Sequence, residues 1–329
     1  MNVFVKGENM INLPDVQKGK SGFPKFPIDN VGIEGLKVKM NIKSKDNKKQ
    51  QVLAKISSFC SLNENLKGIN MSRIGRSIYD VLSESNHAGF SDLKKFVSRL
   101  KEAHKAKYIY MKANFDYEIE NYSPITKTYS PEFVNVSFEN ILNGEETKSF
   151  LTVSATGLSL CPCSKEMSLL KNNISAEELK LIEELPNKLK KKILLSGFGA
   201  HNQKSQIKIK LELAKNNNFY IEDIYDIIKT SSSAPTFSIL KRPDEKWVTE
   251  VSYMGGFWDN GEFNKTDGGA RFVEDIIRHI VDKLNVEIDK SIADYAIKVC
   301  NQESIHSGDI CATAITTAGK NLQYIDFFE

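Results

Sequence analysis

The densest chemistry in this 329-residue sequence is Cys161-Pro162-Cys163-Ser164-Lys165-Glu166, followed downstream by Gly199-Ala200-His201-Asn202-Gln203. Thiolate and imidazole together suit a zinc-like ion, and a site with few protein ligands keeps a coordination position open for water. That combination points to metal-assisted hydrolysis. A structural finger would need two further, closely paired ligands. The same Cys-X-Cys spacing also occurs in inert core thiols, and spacing alone leaves both readings open.

The chain has five histidines, so each can be placed. His87 lies in a connection between helices, without a nearby partner, and reads as a surface residue. His104 ends a helix beside lysines, where a cation favours the helix dipole. His279 sits mid-helix, packed or partly exposed. His201 and His306 differ, each falling near a strand end in a short polar segment. Among the carboxylates, spacing singles out none; Glu245 and Glu274 would pass as surface residues.

The elements that must position these groups are readable from periodicity. Strand-like alternation covers Ile33 to Ile42 and Val52 to Leu62, then helical spacing covers Met71 to Leu82 and Ser91 to His104. Leu93, Phe96, Val97 and Leu100 form one stripe on the second helix. Strand-like runs return at Lys107 to Ile119 and Phe133 to Leu142. The second half repeats the order: strands at Phe150 to Leu160 and Ser205 to Leu213, helices at Ile221 to Ile228 and Phe272 to Leu284. Strands at Ile292 to Cys300 and Ile310 to Thr317 close the chain.

Strands grouped apart from helices predict an antiparallel α+β fold rather than a parallel βαβ one. The duplicated order predicts two units, 31–146 and 147–329, behind an N-terminal arm at 1–30. Two insertions interrupt the second unit. Near 169–197, a capping box at Ser175 opens two short helices split at Pro186. Near 255–269, Gly, Asn and Asp predict a long loop.

Composition sets the remaining bounds. The chain is 40% apolar and 26% charged, as a protein with a proper core requires, and its net charge of +3 gives no case for nucleic-acid binding. Five cysteines without framework spacing read as reduced thiols. No apolar run approaches membrane-spanning length. The expectation is a cytoplasmic protein without a membrane or nucleic-acid partner.

Six segments in order resemble the type IB GTP cyclohydrolase family. They are Lys67–Arg73, Ser159–Glu166, Gly199–Gln203, Leu240–Glu245, Phe272–Asp275 and Glu303–His306. The resemblance spans most of the chain, from about Gly32 to Thr317. It implies the tunnelling fold, whose strand-strand-helix-helix-strand-strand unit occurs twice per subunit, in agreement with the periodicity. It also implies a homotetramer with active sites at subunit interfaces. GTP would be the substrate, hydrolysed at C8 to formate and 7,8-dihydroneopterin triphosphate, for a folate (pterin) or a 7-deazaguanine pathway.

Carried over residue by residue, the resemblance makes Cys161, His201, Glu245 and His306 the ligands of one divalent metal per site, Zn, Fe or Mn. It places Glu274 where the family anchors guanine, a task that suits a buried carboxylate accepting from N1–H and the 2-amino group. Lys165, Arg242 and Arg73 become candidates for the triphosphate, and Cys163 for proton transfer. Asn70 stands where members commonly carry His, and the segment between Glu166 and Gly199 exceeds the family's short turn. Alternatives are a relative giving a cyclic-phosphate dihydroneopterin, a purine- or metal-binding module without turnover, and a structural zinc protein.

Overall fold

The computed structural model describes residues 25–84, 90–170, 175–194, 199–215, 219–288 and 290–323. His87 and most of the N-terminal arm lie outside these residues. Eight long strands form one antiparallel sheet whose order follows the chain. The first four are β1 (Ile28–Lys43), β2 (Lys49–Leu62), β3 (Tyr108–Ile119) and β4 (Glu132–Asn143). Between β2 and β3 run α1 (Met71–Glu84) and α2 (Phe90–His104).

The second set begins with β5 (Glu146–Leu160), followed by α3 (Pro162–Leu170), α4 (Ala176–Glu184) and α5 (Asn187–Leu194). It continues through β6 (Asn202–Leu213), α6 (Ile221–Ser231) and the two-residue β7 (Ala234–Pro235). Next come α7 (Arg242–Met254), the hairpin β8 (Gly256–Asp259) and β9 (Glu262–Lys265), and α8 (Val273–Asn285). Strands β10 (Ile292–Gln302) and β11 (Cys311–Thr317) end the sheet. Both sets are therefore sequential meanders with helices between their second and third long strands.

Alternation decides which side of the sheet the helices cover. Inward residues such as Met40, Ile56, Met111, Val136, Val153, Ile209 and Ile297 meet Ile74, Phe96, Ile224 and Ile280 from the helices in one continuous core. Burial of that apolar surface, at about 25 cal/mol per Å², is the main force fixing the register. The opposite face is polar, and Glu139 there pairs with Lys112 at 3.4 Å and Lys210 at 3.3 Å.

Four features differ from the expectations. Strand β1 starts at Ile28, inside the segment assigned to the arm. The expected loop at 255–269 holds the β8–β9 hairpin, turned by Asn260 and Gly261 at φ 47° and 88°, and such Asn-Gly turns match strand twist. Helices α3 and α7 were not foreseen. In α7 the buried side includes Asp244, Glu250 and Ser252, so it lacks a readable apolar stripe.

His104 ends α2, as expected, and is half-buried there. Burial first, and then the charge of Arg73, hold its pKa below the ordinary value.

Candidate active site

The inward faces of three adjacent strands change from aliphatic to polar at the same end. In β5 the series Val153, Ala155, Gly157 reaches Ser159; in β6, Ile209 and Ile207 give way to Ser205 and Gln203; in β10, Ile297 and Val299 give way to Asn301. Register aligns them, with Ser159 opposite Gln203 and Ser205 opposite Asn301. These groups are buried, so they must bond one another. Ser205 Oγ donates to Asn301 Oδ1, Asn301 Nδ2 donates to Ser159 Oγ at 3.0 Å, and Ser159 Oγ donates to the Arg271 carbonyl at 3.0 Å.

Close approach at Gly157 holds this end of β5. A Cβ there would stand 1.9 Å from Ser232 Oγ, so the strand packs directly on the end of α6. Ser233 then fastens both sides of Ser159: its amide donates to the Leu158 carbonyl at 2.8 Å and its hydroxyl accepts from the Leu160 amide at 3.1 Å. The buried Arg271 guanidinium closes the frame by donating to the carbonyls of Thr230 at 3.2 Å, Ser232 at 2.8 Å and Asp267.

Over this bed lies a cleft of 550 Å³ that takes in Cys161, Cys163, His201, Glu274 and His306. Cys161 leaves the end of β5, and its amide donates to the His201 carbonyl at 3.2 Å, which joins the two strand ends that carry the candidate thiol and imidazole. The Ser164 amide donates to Cys161 Sγ at 3.5 Å, so the sulfur sits at the start of α3, where a helix favours negative charge. The Ser168 hydroxyl donates to the carbonyls of Ser164 at 2.8 Å and Gly199 at 2.6 Å, tying α3 to the segment that carries His201.

His201 Nδ1 is 2.8 Å from Gln203 Oε1. A glutamine oxygen only accepts, so Nδ1 carries the proton and the Nε2 lone pair remains for a ligand. Gln203 Nε2 in turn donates to Glu303 Oε1 at 3.4 Å. Glu303 opens the β10–β11 connection, where its amide takes the Ile310 carbonyl at 2.9 Å and its carbonyl accepts from the His306 amide at 3.3 Å. Glu274 stands in the first turn of α8, exposed to the cleft rather than buried.

Thiol and imidazole in one cleft are the donors that a zinc-like ion takes, so the donor chemistry fits a metal. Among the described residues, no three His, Cys, Asp or Glu side chains stand close enough to form a closed set. Glu245 and Arg242 do not line the cleft; both are exposed at the start of α7. Asp244 fixes that start against the β3–β4 connection by accepting from the amides of Ile125 and Thr126, each at 2.9 Å. Arg73 lies on α1, its guanidinium 3.5 Å from the Ala103 carbonyl. Lys165 faces a different recess, with Nζ 5.3 Å from the centre of the Tyr253 ring.

Of the candidates read from sequence, Cys161, Cys163, His201, Glu274 and His306 share the cleft within one chain. Glu245, Arg242, Arg73 and Lys165 do not. Sequence reading missed the supporting roles of Ser159, Gln203, Ser205, Arg271, Asn301 and Glu303. The available signal was a polar residue on the inward phase of each of three strands.

Comparison with known proteins bears on the family and the fold. The family described as Type I GTP cyclohydrolase folE2 matches residues 13–312. "GTP cyclohydrolase FolE2" of Caldicellulosiruptor saccharolyticus is 31% identical over 293 residues, covering 89% of this chain and 94% of the relative. The protein of the same name from Kosmotoga olearia is 31% identical over 309 residues, covering 94% and 99%. Among solved structures, uricase from Arthrobacter globiformis superposes with a TM-score of 0.51 at 7% identity, over 90% of this chain and 96% of the uricase. That likeness shows the tunnelling fold alone. No helix among the described residues is long and apolar enough to cross a membrane.

Proposed function

The chain belongs to the type I GTP cyclohydrolase FolE2 family, and from that premise we propose that its cleft opens the imidazole ring of GTP by hydrolysis. The enzyme is a GTP cyclohydrolase I of pterin and folate biosynthesis, releasing C8 as formate and forming 7,8-dihydroneopterin triphosphate. The observation that carries this assignment to a place is the convergence of Cys161, His201 and Glu274 on one cleft, over a satisfied polar bed. Delivery of the product to 7-deazaguanine synthesis is a further branch compatible with the same chemistry.

In this reading Cys161 and His201 hold a divalent ion, Zn, Fe or Mn, with His306 and Glu245 completing the shell. When bound, such an ion supplies Lewis acidity that strengthens water as a nucleophile. The residues do the rest. Glu274 accepts from N1–H and the 2-amino group of guanine and fixes C8 toward the thiol end of the cleft. Gln203 keeps the His201 proton on Nδ1. Cys163, exposed beside Cys161, exchanges protons with the opening ring.

The site is completed by a second copy of the chain in a homotetramer. Two features support this: Glu245, Arg242 and Arg73 lie away from the cleft of their own chain, and β1 and β11 are the sheet edges among the described residues, where another copy can pair. The remaining triphosphate contacts come from these arginines of a neighbouring chain. Lys165, turned toward its own recess, is the weakest of the phosphate candidates.

The test is to incubate metal-loaded protein with GTP, oxidise the mixture, and measure fluorescent neopterin against formate. Equal amounts of both establish ring opening. Three phosphates on the pterin assign the triphosphate product, and a cyclic phosphate assigns the alternative enzyme. Absence of both products with Zn, Mn and Fe overturns the assignment in favour of a binding module.

A further inference from the structure

The inserted helices α4 and α5 form one wall of a recess. The recess, of 510 Å³, lies between them and the α7–β8–β9 region, separate from the cleft and bounded by α3. That volume is in the range of small-molecule sites. One wall carries Tyr253, Met254, Trp258 and Phe263, with the Trp258 and Phe263 rings 5.3 Å apart. The facing wall carries Leu179 and Ile182 of α4.

The charges in this recess are sorted by depth. Lys165 and Lys190 are the more buried pair, whereas Glu166 and Glu183 are exposed at the rim. Lys190 Nζ donates to the Glu183 carbonyl at 3.3 Å. Among the described residues Lys165 has only the face of Tyr253 as a partner, and no carboxylate forms an ion pair with it. Burial lowers its pKa, opposed by the charge of Glu166. An ammonium kept in a largely apolar recess without an ion-pair partner is a poor use of stability unless an anion meets it.

We propose that this recess is a second binding site, for a small planar aromatic molecule carrying one acidic group. The rings of Trp258, Tyr253 and Phe263 would take the aromatic body, and Lys165, with Lys190 behind it, the acidic group. The site depends on the insertion, because Leu179, Ile182, Glu183, Asn187 and Lys190 all come from α4 and α5 or lie between them.

The test uses two probes of one shape: 8-anilino-1-naphthalenesulfonate, which is anionic, and N-phenyl-1-naphthylamine, which is neutral. Full-length folded protein should bind the sulfonate with saturation near one per chain, with emission sensitised by Trp258 and reduced in Trp258→Phe. Lys165→Met should weaken the sulfonate about tenfold, equivalent to ~1.4 kcal/mol, and leave the neutral probe unchanged. Ile182→Trp, which fills the recess, should abolish both. Leu179→Glu, at a half-exposed position, serves the same purpose if Ile182→Trp does not fold. Failure of the sulfonate to bind, binding that survives both filling variants, or equal weakening of both probes by Lys165→Met would each overturn the proposal.

Discussion

His201 Nδ1 and Gln203 Oε1 lie 2.8 Å apart, and the amide end of the same glutamine reaches Glu303 at 3.4 Å. Gln203 thus links the ends of two neighbouring strands and decides which imidazole nitrogen faces the cleft. Partners of this kind are typically worth 10–100-fold in metal affinity or activity. Gln203→Leu should lower kcat and metal affinity together by about that factor. Gln203→Glu, which keeps the acceptor toward His201 but loses the donor toward Glu303, should retain more of both than Gln203→Leu. Titration with a chelator and steady-state assay would check this, and equal losses in the two variants would refute the orienting role.

Asp244 is a buried acid that fixes the start of α7, the helix carrying Arg242 and Glu245. Burial works to raise its pKa, but the amide and hydroxyl of Thr126 and the amides of Lys241 and Ile125 outweigh burial and hold the carboxyl well below its usual range. A depressed pKa means that the stability it contributes is present above the unfolded value of about 3.9 and is lost as pH falls below it. Asp244→Asn should therefore flatten the acid limb of the stability curve below about pH 4. At pH 7, Asp244→Ala should cost about 2–4 kcal/mol, from lost charge-assisted hydrogen bonds to three amides and the Thr126 hydroxyl. Urea unfolding of both variants across pH measures the two effects.

The strands were legible because their inward residues alternate without interruption, as Val38, Met40 and Ile42 do in β1. Helix α2 was legible from the spacing of Leu93, Phe96, Val97 and Leu100. Helix α7 was not, because its buried side depends on polar partners outside it, such as the Trp258 amide that donates to Glu250 at 3.0 Å. The same limit applies to the site. Cys161 and His201 stand out by type, whereas Ser159, Ser205 and Asn301 acquire a role only when strand register aligns them. Glu245 belongs to one motif set in sequence, yet it sits outside its own chain's cleft.

His104 carries a prediction of the opposite cause. Its Nε2 is buried and meets no hydrogen-bond partner among the described residues, and its pKa is lowered by burial and by Arg73. The folded state therefore binds fewer protons there than the unfolded state. Its contribution is intact above the unfolded value of about 6.5 and is lost as pH falls through the lower folded value. His104→Leu should remove that loss. The urea midpoint of the parent should fall more than that of the variant between pH 7 and 5; parallel curves would contradict the assignment.

The separation of Glu245 from the cleft of its own chain leads to a test of how the site is assembled. Cys161→Ala and Glu245→Ala should each abolish turnover while leaving circular dichroism and oligomer size unchanged. If one chain supplies Cys161 and a neighbour supplies Glu245, a mixed oligomer regains some sites in which both residues are intact. Random reassociation of equal amounts leaves about one site in four in that state, so activity should return to roughly a quarter of the parent. Mixing after dissociation and refolding, with chelated metal restored, makes the measurement. No recovery from demonstrably mixed oligomers would mean that Glu245 acts within its own chain or not in the site at all, and a structural metal would be exposed in the same experiment by unfolding on chelation.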